Sequence, residues 1–147
     1  MTQTARYHHG DLHATLLQEA NTLLNEQGIE GLSLRKLAER AGVSRTAPYH
    51  HFRDKNALLC ALATQAFRQL DEMINSQLQE AGSQEGIQNF VREYLRFATE
   101  NPEQYELMFG RTIWKGGEPT DELKTIYYRT ICHYAQWQAT LCAVPLS

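Results

Sequence analysis

The residues whose types could do chemistry crowd into one stretch: Arg45, Thr46, Tyr49, His50, His51 and Lys55 lie within eleven positions. An arginine can donate two hydrogen bonds to a guanine edge, and a threonine offers a hydroxyl and a methyl. Tyrosine and histidine reach phosphate oxygens, and lysine supplies a point charge for them. That set suits nucleic-acid contact. Between Ser33 and Lys55 six basic residues (Arg35, Lys36, Arg40, Arg45, Arg53, Lys55) face two acidic ones (Glu39, Asp54), a local balance of plus four in a chain of net charge −3. The patch therefore stands out electrostatically. An amphipathic helical hairpin with a solvated basic face would carry the same charges, so the positioning elements must decide between the two.

Those elements read as helix, glycine turn, helix. Ser33 is a good N-cap, and Leu34, Leu37, Ala38 and Ala41 recur at helical spacing. Gly42 stops that helix, and Val43 returns a hydrophobe to the core. Ser44 can cap a second helix running to about Phe52, but Pro48 would then cost it its first backbone hydrogen bond. A start at Thr46 makes the proline harmless. Both starts remain open, and the choice rotates the side chains that face a DNA groove.

Residues 11–62, in particular GLSLRKLAERAGVS followed by YHHFRDKNALL, resemble the N-terminal domain of the tetracycline-repressor (TetR) family of bacterial transcription regulators. Carried over by position, the resemblance implies that Ser33 contacts a phosphate and that Arg45 and Thr46 face bases. It further implies that Tyr49, His50 and His51 line the DNA backbone and that Lys55 clamps a phosphate. Pro48 departs from the larger apolar residue usual at that place. ENPEQYELMFG at 100–110 and RYHHGDL near the start resemble one branch of such regulators.

Composition agrees with a globular regulator. At 147 residues, 42% hydrophobic and 21% charged, the chain suits one domain or two small ones and excludes a disordered tail protein. No apolar run approaches the ~20 residues that span a bilayer, and the start lacks a signal peptide's apolar core, so a cytoplasmic location is expected. Cys60, Cys132 and Cys142 form no CxxC pair and read as reduced thiols. Residues 1–60 hold seven basic and six acidic groups, residues 61–147 seven and eleven. The N-terminal part is thus the one suited to nucleic acid.

Along the chain, residues 1–9 form a polar arm whose Arg6 is placed to reach DNA. His9 and His13, four apart, can share a helix face, but no carboxylate or thiol completes a metal set with them. Asp11 is read as the cap of a first helix bearing Leu12, Leu16, Leu17, Ala20, Leu23 and Leu24. Asp54 caps a long helix with Leu58, Leu62, Ala66, Leu70, Met73 and Leu78 on one face, reaching about Ala81. A stripe of Ile87, Phe90, Val91, Tyr94, Leu95 and Ala98 predicts another helix. Asn101 and Pro102 open a further one through Ile113, and Thr120 caps a last one fading near Ala143.

The expected fold is all-α: a three-helix helix-turn-helix DNA-binding head, residues 1–54, joined by a long helix to an effector-binding body, residues 55–147. The body is rich in aromatics, and Phe90, Tyr94, Met108, Phe109 and Tyr127 are the candidates for an apolar ligand site. No constellation suggests catalysis, and no cofactor or metal is called for. The expected function is a sequence-specific DNA-binding regulator, a repressor released by a small apolar ligand. Its partners are a double-stranded operator, that ligand and a second copy of the chain, with no membrane. The alternative is a DNA-incompetent effector-binding protein whose head survives as a packing element. TetR-like chains usually continue into two dimerisation helices for which this one leaves no room. Either the last helix, through Leu123, Tyr127, Ile131, Tyr134 and Trp137, is a substitute interface, which is the expectation, or the chain is a shortened form with an open apolar flank.

Overall fold

A computed structural model of the chain describes residues 11–80 and 83–143. The arm with Arg6 and His9, and the terminal VPLS, lie outside the described residues. Every regular element described is helical: α1 Leu12–Gly31, α2 Leu34–Ala41, a 3-10 segment Ala47–His50, α3 Lys55–Gln79, α4 Gln84–Glu100, α5 Pro102–Phe109, α6 Arg111–Trp114 and α7 Asp121–Ala143.

The local chemistry explains most boundaries. The Ser33 hydroxyl accepts from the Lys36 amide at 3.1 Å, and the Asp54 carboxylate accepts from the Ala57 amide at 2.8 Å. Each thereby satisfies one of the orphan donors that open a helix. Thr120 does the same for α7, its hydroxyl accepting from Leu123 N–H at 3.3 Å. Gly42 ends α2 in the left-handed conformation (φ 70°), where a Cβ would be strained, and its N–H closes on the Ala38 and Glu39 carbonyls.

Several expectations need correction. The segment after the turn is not a helix from Ser44 to Phe52 but four residues of 3-10 geometry, with Thr46 at the cap position and Pro48 in the first turn. The later start has won because proline lacks an N–H to donate there. Ser44 caps nothing through its side chain; its hydroxyl meets that of Thr46 at 3.3 Å. Asp11 occupies the cap position of α1 without a side-chain bond to it. Asn101 precedes α5, yet its amide donates backwards to the Phe97 carbonyl, closing α4 rather than opening α5. The helix expected from Asn101 to Ile113 is broken at Gly110, which is extended (ψ −163°).

α3 is the axis. Its 25 residues span about 38 Å at helical rise. α7 packs along it, and α5 wedges between it and α1. The main core is continuous from the head (Leu16, Leu24, Leu37, Phe52) through α3 (Leu58, Leu62, Phe67) into the body (Leu107, Met108, Ile113, Leu123, Ile126). A smaller cluster of Ile74, Phe90 and Trp137 closes the far end. Side-chain amides stitch the same parts together: Asn21 of α1 donates to Gln65 of α3, and Gln104 of α5 donates to Asn21 at 2.6 Å.

Candidate nucleic-acid interface and effector cleft

In the head, two buried side chains aim the polar ones. Pro48 and Phe52 (2% exposed) point into the core, four residues apart, and pin the 3-10 segment from beneath. Arg45, Thr46, Tyr49, His50 and His51 are all exposed, Tyr49 at 56%. The five residues sought on the reading segment thus share an outer surface. Ser33 sits at the start of α2 with its hydroxyl already engaged as the cap.

The basic residues divide into engaged and free. Arg40 forks onto Glu26 of α1 at 2.7 and 2.8 Å, holding α2 against α1, and this bonding keeps the Glu26 carboxyl below its usual range. Lys36 donates to the Gln27 side chain. The Lys55 ammonium donates to the Ile29 carbonyl at 2.7 Å, so one of its three protons already closes the end of α1. Arg35, Arg45 and Arg53 have no intramolecular hydrogen-bond or ion-pair partner among the described residues. The free guanidiniums of Arg35 and Arg53 escaped the residue-by-residue reading, although the charge count contained both.

The His13 ring of α1 lies 5.5 Å from His51 and 5.3 Å from Phe52. Partial burial, followed by the neighbouring His13 and His50, lowers the His51 imidazole from its ordinary value. No group of three or more potential metal ligands exists among the described residues, and His9 lies outside them.

In the body the five candidate ligand residues do not share one cavity. Phe90, Tyr94 and Phe109 line a cleft of about 490 Å³ between α3, α4 and α7, with Ile74, Ile131 and Trp137. Met108 and Tyr127 border a neighbouring hollow of about 340 Å³ with Phe109, Trp114 and Tyr128, and Met108 also meets Tyr94 and Phe109 in a cleft of about 230 Å³ between α3, α4 and α5. Phe109 stands between them, edge-on to Phe67 at 5.3 Å. The Tyr94 hydroxyl donates to Tyr105, and burial, reinforced by that bond, pushes its pKa up to about 12. It is a neutral donor at any physiological pH.

One polar cluster had no counterpart in the sequence reading. Asp71, buried on α3, meets His133 Nδ1 at 2.7 Å and Arg129 at 3.5 Å, both on α7. The signal was a lone carboxylate one turn from Phe67 on an apolar face, but its partners lie some sixty residues away.

Comparison with known proteins decides the family of the head. Residues 16–62 match the family model described as bacterial regulatory proteins, tetR family. Over 49 residues the chain is 59% identical to the tetracycline repressor protein class A from transposon 1721 of Escherichia coli, covering 33% of this chain and 23% of that one. Residues 16–62 belong to the TetR family. Similarity beyond the TetR-type head is lower. The transcriptional repressor AcnR of Corynebacterium glutamicum is 33% identical over 93 residues, 63% of this chain and 43% of AcnR. The crystal structure of the TetR family regulator PfmR from Thermus thermophilus superposes with a TM-score of 0.60 at 27% identity, over 86% of this chain and 65% of that one. The match spans less than half the length of these curated TetR-family relatives.

Proposed function

We propose that the chain is a DNA-binding transcriptional regulator of the repressor type, its head reading duplex DNA and its body responding to a small, mainly apolar molecule. The observation that carries this reading is the pinning of the 3-10 segment by Pro48 and Phe52, which turns Arg45, Thr46, Tyr49, His50 and His51 outward together. Arg35, Arg45 and Arg53, without a partner among the described residues, add charge around them, and both the class A tetracycline repressor and AcnR are repressors. In this reading Arg45 and Thr46 meet base edges, while Ser33, Tyr49, His50, His51 and Lys55 meet the phosphates. The ligand enters the cleft lined by Phe90, Tyr94 and Phe109, with the hollow at Met108 and Tyr127 as its extension. Occupancy shifts the population of head orientations through α3.

The test is a mobility-shift titration against salt, using duplexes recovered from a random pool. Binding whose logarithm falls linearly with log salt, with one preferred sequence, supports the reading. A protein that shifts no duplex at low salt is instead the DNA-incompetent effector binder of the same fold.

A further inference from the structure

The first residues of α3 face three ways. Asp54 caps α3 itself through the Ala57 amide, Lys55 donates to the Ile29 carbonyl at the end of α1, and Asn56 turns to the body. The Asn56 side-chain amide donates to the Glu118 carbonyl at 2.9 Å, and its oxygen accepts from the Glu118 N–H at 3.1 Å. One side chain thus pairs both backbone groups of a residue 62 positions away, as a strand neighbour would. The Cys60 thiol, one turn along α3, donates to the same carbonyl at 3.6 Å, and burial pushes it up so that it stays protonated. At Gly117 an added Cβ would stand 2.6 Å from the Asn56 oxygen and 3.0 Å from the Thr112 carbonyl, so only glycine admits this approach.

The loop is in turn locked to the wall of the aromatic hollow. The N–H groups of Lys115 and Gly116 donate to Arg111 of α6, and that of Gly117 donates to Ile113. Trp114, inside the same short helix, donates to the Met108 carbonyl at 2.8 Å and packs on Tyr127 at 4.8 Å. A shift of Trp114 therefore moves α6, Gly117 and Glu118 together, and Asn56 holds Glu118 to the start of α3.

We propose that Asn56 is a positioning residue that transmits the state of the Trp114 hollow to the DNA-reading head, by tying the α6–α7 loop to the turn of α3 that also carries Lys55. The proposal rests on the regulatory reading above, since it names the contact by which body and head communicate.

Amide hydrogen exchange tests it on wild type, Asn56→Ala, Asn56→Asp and Gly117→Ala, each free and bound to a duplex selected from a random pool. In the free proteins, Asn56→Ala should speed exchange about tenfold at Glu118 and also at Ala57 and Leu58, whose bonds to Asp54 define the start of α3. Asn56→Asp keeps the acceptor for the Glu118 N–H and loses the donor, so it should fall between, and it replaces the alanine variant should that one not fold. Gly117→Ala, acting from the loop side, should reproduce the effect. Acceleration confined to Glu118 overturns the proposal, because Asn56 would then tether the loop and nothing more. In the bound proteins, wild type should change protection at Gly117 and Glu118 on adding duplex, and Asn56→Ala should not. An equal response in both also overturns it. If no duplex is retained by any variant, the regulatory reading fails, and the free-protein comparison alone decides whether Asn56 couples loop to head.

Discussion

At the scale of single residues, Arg45 and Lys55 should behave differently although both are cations beside the reading segment. Arg45 is exposed and has no partner among the described residues, so Arg45→Ala should cost ~1 to 3 kcal/mol at the preferred sequence and little elsewhere. Lys55→Ala should weaken binding to all duplexes and lower the salt slope by about one. It should also lower the melting temperature, because the Ile29 carbonyl loses its donor. Competition titrations with selected and scrambled duplexes check both; equal losses on every sequence would remove Arg45 from base reading. The histidines add a pH dependence. His51 titrates below its ordinary value, so the unfolded chain binds the extra proton first. Its contribution to stability is complete above about pH 6.5 and falls as pH drops through its lowered pKa. On the proposed placement of His51 against phosphate, DNA affinity should move the opposite way, rising over that window as His51 gains a charge. His51→Gln should flatten the affinity profile measured between about pH 5 and 7.5.

At the scale of elements, the head depends on its caps more than on helix length. α2 is only eight residues long and could not hold its conformation in isolation. Ser33→Ala and Asp54→Ala should each cost about 1 kcal/mol by chemical denaturation. Gly42→Ala should cost a comparable amount, with open space around it, because the penalty lies in the left-handed backbone. If Asp54→Ala proved neutral, the start of α3 would be held by Lys55 and Asn56 instead. The 3-10 segment is legible in hindsight from Pro48. Residue types showed that a helix starting at Ser44 was in difficulty, but only the burial of Pro48 and Phe52 selected the rotation that places Tyr49, His50 and His51 outside.

At the scale of the whole molecule, the apolar surface between α4 and α7 sets the main expectations. Val91 and Leu95 on α4, and Tyr128, Ile131 and Tyr134 on α7, are all exposed, Leu95 at 56%. The stripe on α4 thus packs on one edge only. Of the five side chains expected to form a substitute interface on the last helix, Leu123 and Trp137 point into the core and Tyr127 is half-buried. Only Ile131 and Tyr134 remain available for pairing. If this face pairs two copies, sedimentation at micromolar concentration should show a dimer that Ile131→Lys converts to a monomer. A monomeric wild type would end that idea. Phe109, at 41% exposure between the two hollows, should tolerate alanine at well under the ~3 to 5 kcal/mol typical of a buried phenylalanine. The same change should alter the quenching of tryptophan fluorescence by apolar ligands; unaltered quenching would make it plain core.

The amino-acid sequence by itself determined the all-α class, the positions of α1, α2, α3 and α7, the glycine stop at Gly42 and the membership of Ser33 and Asp54 among the caps. It did so because capping, helical periodicity and proline geometry act between residues within four positions of one another, where spacing along the chain is spacing in space. The local charge excess at 33–55 was equally visible, since it needs only counting. Tertiary structure alone decided which cations are spent internally, as Arg40 is on Glu26 and Lys55 on Ile29. It also spread the five ligand candidates over three adjoining hollows and paired Asp71 with His133. The Asn56 contact is the extreme case. Its partner is a backbone unit 62 residues away, and a peptide group carries no side-chain identity that a sequence could display.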